Sequence, residues 1–171
     1  MMKKIYVIIL FLIFTTSSFA DGHKGKIDLK GFIVGDNKFL TDNEGNFLTF
    51  TYDGVGGLMA VEGTTFMDNA SQYCLGAGTI PGKGFEMGHC KINQMDGDTI
   101  FTYYEIPLGD SMNGTFKCLG GTGKYKGIEC SGSTGYTPIN SAQENKFASS
   151  IYFMGEYASV SYTHLTLPTK A

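Results

Sequence analysis

Residues Gly114 to Tyr136, GTFKCLGGTGKYKGIECSGSTGY, set the tightest limit on what this chain can fold into. Two short alternating runs flank a Gly-rich turn, Gly120-Gly-Thr-Gly123, and each run carries one cysteine. Alternation with period two puts successive side chains on opposite faces of a strand. A turn of this composition supplies the positive φ values that reverse the chain. The stretch therefore predicts a β-hairpin, strand Thr115–Leu119 against strand Tyr125–Cys130, with Cys118 and Cys130 close enough to bond. A phosphate loop would need G-x-x-x-x-G-K-[ST] between a strand and a helix. Here Cys118 stands at the first Gly position, Tyr125 follows Lys124, and a strand pattern follows rather than a helix.

The same alphabet runs along the rest of the chain. Asp21–Lys30 is polar and reads as a loose lead-in, Gly31–Gly35 as a short strand, and Asp42–Gly45 as a turn. Alternation from Asn46 to Tyr52 predicts a strand that Asp53-Gly-Val-Gly-Gly57 interrupts before Leu58–Glu62 resumes it. Cys74–Thr79 and Phe85–Gln94 form a further pair around Ile80-Pro-Gly-Lys-Gly84, where Pro81 and the glycines dictate a turn. Asp96-Gly-Asp98 is a hairpin signal, and Thr99–Ile106 is the clearest strand of all. Phe147–Tyr157 is the last strand pattern. No segment holds a helical period over ten residues. An all-β fold follows, an antiparallel β-barrel of about eight strands, with a β-sandwich as the alternative.

Both ends of the chain read as something other than this domain. Lys3 and Lys4, the apolar run Ile5–Phe14 and the small residues ending Ser18-Phe19-Ala20 have the form of a signal peptide cleaved after Ala20. The apolar run is shorter than the roughly 20 residues that a membrane span needs. Export to a periplasmic or extracellular space is expected, with a mature chain that is not membrane-embedded. Ser159–Ala171, SVSYTHLTLPTKA, breaks the preceding composition and resembles a translated sequencing adapter. The division read from the sequence is therefore 1–20 signal peptide, 21–45 lead-in with the first short strand, 46–158 barrel domain and 159–171 non-native tail.

Four cysteines behind an export signal read as disulfides. Three connectivities are open, of which the local one, Cys74 with Cys90 and Cys118 with Cys130, is preferred. Zinc held by all four thiolates would need close C-x2-4-C pairs, which this chain lacks. Outside the leader and the tail there are ten Lys, no Arg and sixteen acidic residues. That balance argues against nucleic acid as a partner. No metal and no cofactor are expected.

Gly120 to Ile128, Gly-Gly-Thr-Gly-Lys-Tyr-x-Gly-Ile, resembles small exported bacterial proteins related to the allene-oxide-cyclase-like and dirigent-like β-barrels. Cys74-Leu-Gly-x-Gly, Gly88-His-Cys90 and Asp96-Gly-Asp98 before an aromatic strand are similar too, so the resemblance spans about Phe47 to Tyr157. It implies an antiparallel barrel with an apolar interior that binds a small hydrophobic molecule. No motif here matches the catalytic residues of those families, and catalytic residues stay unassigned.

Candidate ligand residues come from one strand face. Tyr103 and Glu105 alternate with the Ile100, Thr102, Tyr104, Ile106 set; His89 lies on a neighbouring strand, with Glu105 a better partner for it than Glu86. If the Tyr103/Glu105 face points inward, these three make a polar spot in an apolar pocket. If it points outward, they are surface residues, and hydrophobicity favours burial of the Ile100/Tyr104/Ile106 face. Asp96, Asp98 and Asp110 lack the spacing of a calcium loop and read as turn residues. Three functions are carried forward: a non-enzymatic barrel that binds a hydrophobic ligand, a cyclase or isomerase acting on one, and an envelope or surface interaction protein without a pocket. A cavity above roughly 300 Å³ with inward Glu, Tyr or His would favour the first two.

Overall fold

Eight antiparallel strands follow one another around a closed barrel, each hydrogen-bonded to the next and β8 to β1. The computed structural model describes residues 23–109 and 111–159. The strands are β1 (His23–Thr41), β2 (Phe47–Ala60), β3 (Ala70–Thr79), β4 (Phe85–Asn93), β5 (Thr99–Pro107), β6 (Asn113–Gly121), β7 (Glu129–Ile139) and β8 (Phe147–Ser159). Closure leaves no sheet edge with unpaired backbone groups. The expected all-β barrel is the fold observed; the signal peptide, most of the tail and Asp110 lie outside the described residues.

Where alternation is clean, the facing is as chemistry demands. In β5, Ile100, Thr102, Tyr104 and Ile106 point in while Phe101 and Glu105 point out. In β4, Glu86, Gly88, Cys90 and Ile92 point in. One end of the interior is filled by Ile27, Leu29, Leu58, Ile92 and Ile100. The segment after β2 closes that end: the Phe66 ring stacks on Tyr157 at 3.9 Å, and Asp68 accepts the Ala60 N–H at 2.8 Å.

Three local expectations are corrected. The lead-in and the short strand at 31–35 are parts of one 19-residue strand from His23. Its first residues, His23–Asp28, pair only with β8, and Asp36–Thr41 only with β2. This stagger is the shear that closing a tilted barrel requires. The Asp53–Gly57 break is continuous strand. A Cβ at Gly56 would come within 1.9 Å of the Phe32 carbonyl oxygen, so glycine there permits close packing of β1 on β2 instead of stopping the strand. Finally, Tyr125–Ile128 is not strand. Gly123–Tyr125 forms a 3-10 turn. The N–H groups of Tyr125, Lys126 and Ile128 bond to carbonyls three residues back, and strand pairing resumes only at Glu129.

Both disulfides take the local pairing. Cys74 and Cys90 are register partners in β3 and β4. Cys118 and Cys130 lie one step beyond the last paired residues of β6 and β7, Lys117 and Ser131. Thr102 of β5 is register partner to both Cys90 and Cys118. One belt, Cys74–Cys90–Thr102–Cys118–Cys130, thus crosses five successive strands.

Candidate functional site

The interior opposite the plugged end is hollow. A cavity of about 530 Å³ runs between the N-terminal half of β2, the C-terminal halves of β5 and β7, and the start of β8. Ile33, Phe50, Tyr52, Ile106, Phe147 and Phe153 supply much of its apolar wall, and the Cys74–Cys90 disulfide forms part of it. Its mouth lies by the β1–β2 and β3–β4 turns, where Lys146 pairs with Asp36.

Among the described residues, one carboxyl group faces this space. Glu86 is only 7% exposed, because its position in β4 has the same parity as Cys90 and Ile92. Tyr104 from β5 donates its hydroxyl to Oε1 at 2.9 Å, and Tyr136 from β7 donates to Oε2 at 2.9 Å. Burial pushes the Glu86 carboxyl up to about 7; the Tyr136 hydrogen bond opposes that rise without cancelling it. Burial also raises both tyrosines, whose phenols therefore stay protonated across the physiological range. A carboxyl poised near neutrality between two hydroxyl donors can accept a ligand's hydrogen bond, pair with a cation, or exchange a proton.

Glycines make room for this triad. Gly76 and Gly88 are register partners under the Tyr104 hydroxyl. A Cβ on Gly88 would fall 2.5 Å from that oxygen and 2.6 Å from the Leu75 carbonyl. Gly88→Ala is therefore expected to lower stability by about 1–3 kcal/mol through overpacking. Urea denaturation reads the effect, and a neutral outcome would show that Tyr104 does not rest against this glycine.

A second polar group lies deeper. Gln72 is 3% exposed and lines the cavity, yet its Nε2 has no partner among the described residues. Its Oε1 faces Cys74 Sγ at 3.7 Å, a disulfide sulfur with no proton to give. Ser149 and Thr134 also line the space, though the Thr134 hydroxyl is occupied by the Tyr152 carbonyl.

The residues named from sequence are placed elsewhere. Tyr103, Glu105 and His89 lie on the outer surface of β4 and β5, where Tyr103 donates to Glu105 at 3.0 Å and the His89 and Tyr103 rings are 5.3 Å apart. The structure brings these three together, but outside the barrel and away from the cavity. Inward parity belongs to the Ile100/Tyr104/Ile106 face, as hydrophobicity indicates, and Tyr104 is the polar residue it contributes. Asp98 accepts the Lys124 N–H at 3.1 Å and Asp96 pairs with the Lys124 ammonium, so both serve the turns. Reading Glu86 as inward needed only its parity with Cys90 and Ile92. Its two tyrosine partners, 18 and 50 residues further on, have no local signal.

No protein-family model matches the chain, and no curated protein matches it in sequence. Among solved structures, the pterocarpan synthase dirigent protein GePTS1 is similar with a TM-score of 0.57, over 84% of this chain and 94% of that one, at 11% identity. The two share an antiparallel barrel fold. At this identity the likeness concerns the path of the backbone alone. Among the described residues, no helix is long and apolar enough to cross a membrane.

Proposed function

We propose that this protein binds a small hydrophobic molecule inside the barrel, after export to an oxidising compartment and cleavage near Ala20. The observation that carries the reading is the cavity of about 530 Å³, walled by apolar side chains and holding a few inward polar groups. That volume and that mixture are typical of small-molecule sites. The unpartnered Gln72 amide supports it, because a buried donor without a protein partner takes one from a ligand or from water. The two disulfides support an oxidising compartment. A surface protein with no pocket would have no use for a hollow interior, and the cavity weighs against that alternative.

Native mass spectrometry of the protein purified from its exporting host tests the reading. A co-purifying molecule of a few hundred daltons, lost on substituting Ile106→Trp to fill the cavity, is the expected result. An empty protein that also fails to take up an environment-sensitive apolar dye would count against ligand binding.

Catalysis is the second reading, and Glu86 is the observation that favours it. A carboxyl near neutrality, with hydroxyl donors on both oxygens, can take a proton from a bound substrate and return it elsewhere, as a cyclase or isomerase requires. No further cofactor is invoked for such a step.

A further inference from the structure

We infer that the ligand of this cavity is basic, an apolar molecule carrying an ammonium group that pairs with Glu86. This rests on the proposal that the cavity is a ligand site, and it names the chemical class that would fill it. Three observations lead there. Glu86 is buried, and no cation lies within ion-pair distance of it among the described residues. Among the described residues, the one basic side chain on the cavity wall, Lys146, is engaged by Asp36 at the mouth. The hydroxyls of Tyr104 and Tyr136 are each spent on one carboxylate oxygen, an arrangement that suits the ionised form and leaves the second lone pair of each oxygen unused.

Such a site is preorganised for a cation. The carboxylate has already been desolvated in folding, so an ammonium that arrives gains the attraction in a low dielectric and bears only its own dehydration. Tyr52, Tyr104, Tyr136 and Phe147 line the space with aromatic rings, whose faces attract cations. The chain's formal charge of −3 favours approach of a cation over an anion. Gln72, deeper in the cavity, offers its free amide hydrogens to an acceptor elsewhere on the molecule. A neutral alcohol could use the hydrogen bond to Glu86 but would leave its charge unpaired.

The test compares n-octylammonium with n-octanol by isothermal titration calorimetry on the mature chain. At pH 8 octylammonium is expected to bind at least tenfold more tightly, and Glu86→Gln should erase that preference while octanol still binds. The wild-type chain supplies an independent measurement. The titratable groups about Glu86 are Tyr104 on β5 and Tyr136 on β7, with the Lys146–Asp36 ion pair at the mouth. The tyrosines stay protonated from pH 6 to 8. Affinity for octylammonium should then fall about tenfold from pH 8 to pH 6 as Glu86 gains its proton near pH 7, while octanol binding stays level. Equal or tighter octanol binding at pH 8, or an octylammonium affinity that ignores pH, overturns the inference and leaves the cavity as a ligand site. If neither probe binds, the ligand-binding reading itself fails.

Discussion

Removing both disulfides lowers the stability of the barrel by about 6 kcal/mol, with about 3 kcal/mol from each bridge. The bridges join residues 16 and 12 positions apart, and in the chain-entropy account loops of that size restrict the unfolded chain by about this much. A domain of this size has a total stability of about 5–15 kcal/mol, so the doubly reduced chain is left near the limit of folding. The belt geometry adds a qualification that can be measured. Thr102 stands between the bridges in register, 1% exposed, and its hydroxyl has no partner among the described residues. Loosening one bridge therefore relaxes the strand against which the other is held, and the two effects should depart from strict additivity. Urea denaturation of Cys74→Ala/Cys90→Ala, of Cys118→Ala/Cys130→Ala and of the four-fold variant gives all three quantities. A loss under about 1 kcal/mol in the four-fold variant would show that the bridges do not hold the barrel together.

The second large effect belongs to Glu86 and has the opposite dependence on pH from most carboxylates. Its value is raised from 4.5 to about 7 in the folded protein, so between those values the folded state binds a proton that the unfolded state has released. The stabilisation from its neutral form is complete below about pH 4.5 and is lost as pH rises through about 7. At about 1.4 kcal/mol per unit, the difference amounts to about 3 kcal/mol. Asp42, held below the usual carboxylate range first by the Asn46 side chain, and Asp96, held there first by the Lys124 ammonium, act in the other direction at low pH. The Glu86 contribution is therefore read as the difference between wild type and Glu86→Gln across pH 4 to 8. Glu86→Gln is expected to be the more stable protein at pH 8, because no charge is then buried, and to lose that advantage near pH 4. A difference that does not change with pH would refute the buried-carboxyl account. A residue that weakens its own fold at neutral pH is commonly retained for what it does there.

Much of this protein could be read from local pattern. Thr99–Ile106 alternates strictly enough to be read as a strand, with hydrophobicity favouring the Ile100/Tyr104/Ile106 face inward, and two cysteine-bearing runs around a Gly-rich turn pointed to a hairpin whose second strand begins only at Glu129. The polar centre was less legible. Glu86 shares its parity with Cys90 and Ile92, but one strand on its own supplies no partner for a carboxyl placed on the inward face. Burial becomes tolerable only because Tyr104 and Tyr136 arrive from two other strands, and Gly76 and Gly88 leave the space for them. Tyr103 and Glu105 attracted notice for the converse reason: they are chemically capable and adjacent, but parity turns them to the outside.

Alternation and turn chemistry act over two to five residues, so they determined that the chain makes strands and where most of them reverse, and they favoured the local cysteine pairing that the structure shows. Closure acts over the whole chain. It drew residues 23–30 into β1 by giving them β8 as a partner, with His23 opposite Ser159. It also made Asp53–Gly57 a continuous strand instead of a break, and it enclosed the space in which one carboxyl became the centre of the site. Those outcomes depend on shear, strand coiling and desolvation, which exist only once distant strands have paired.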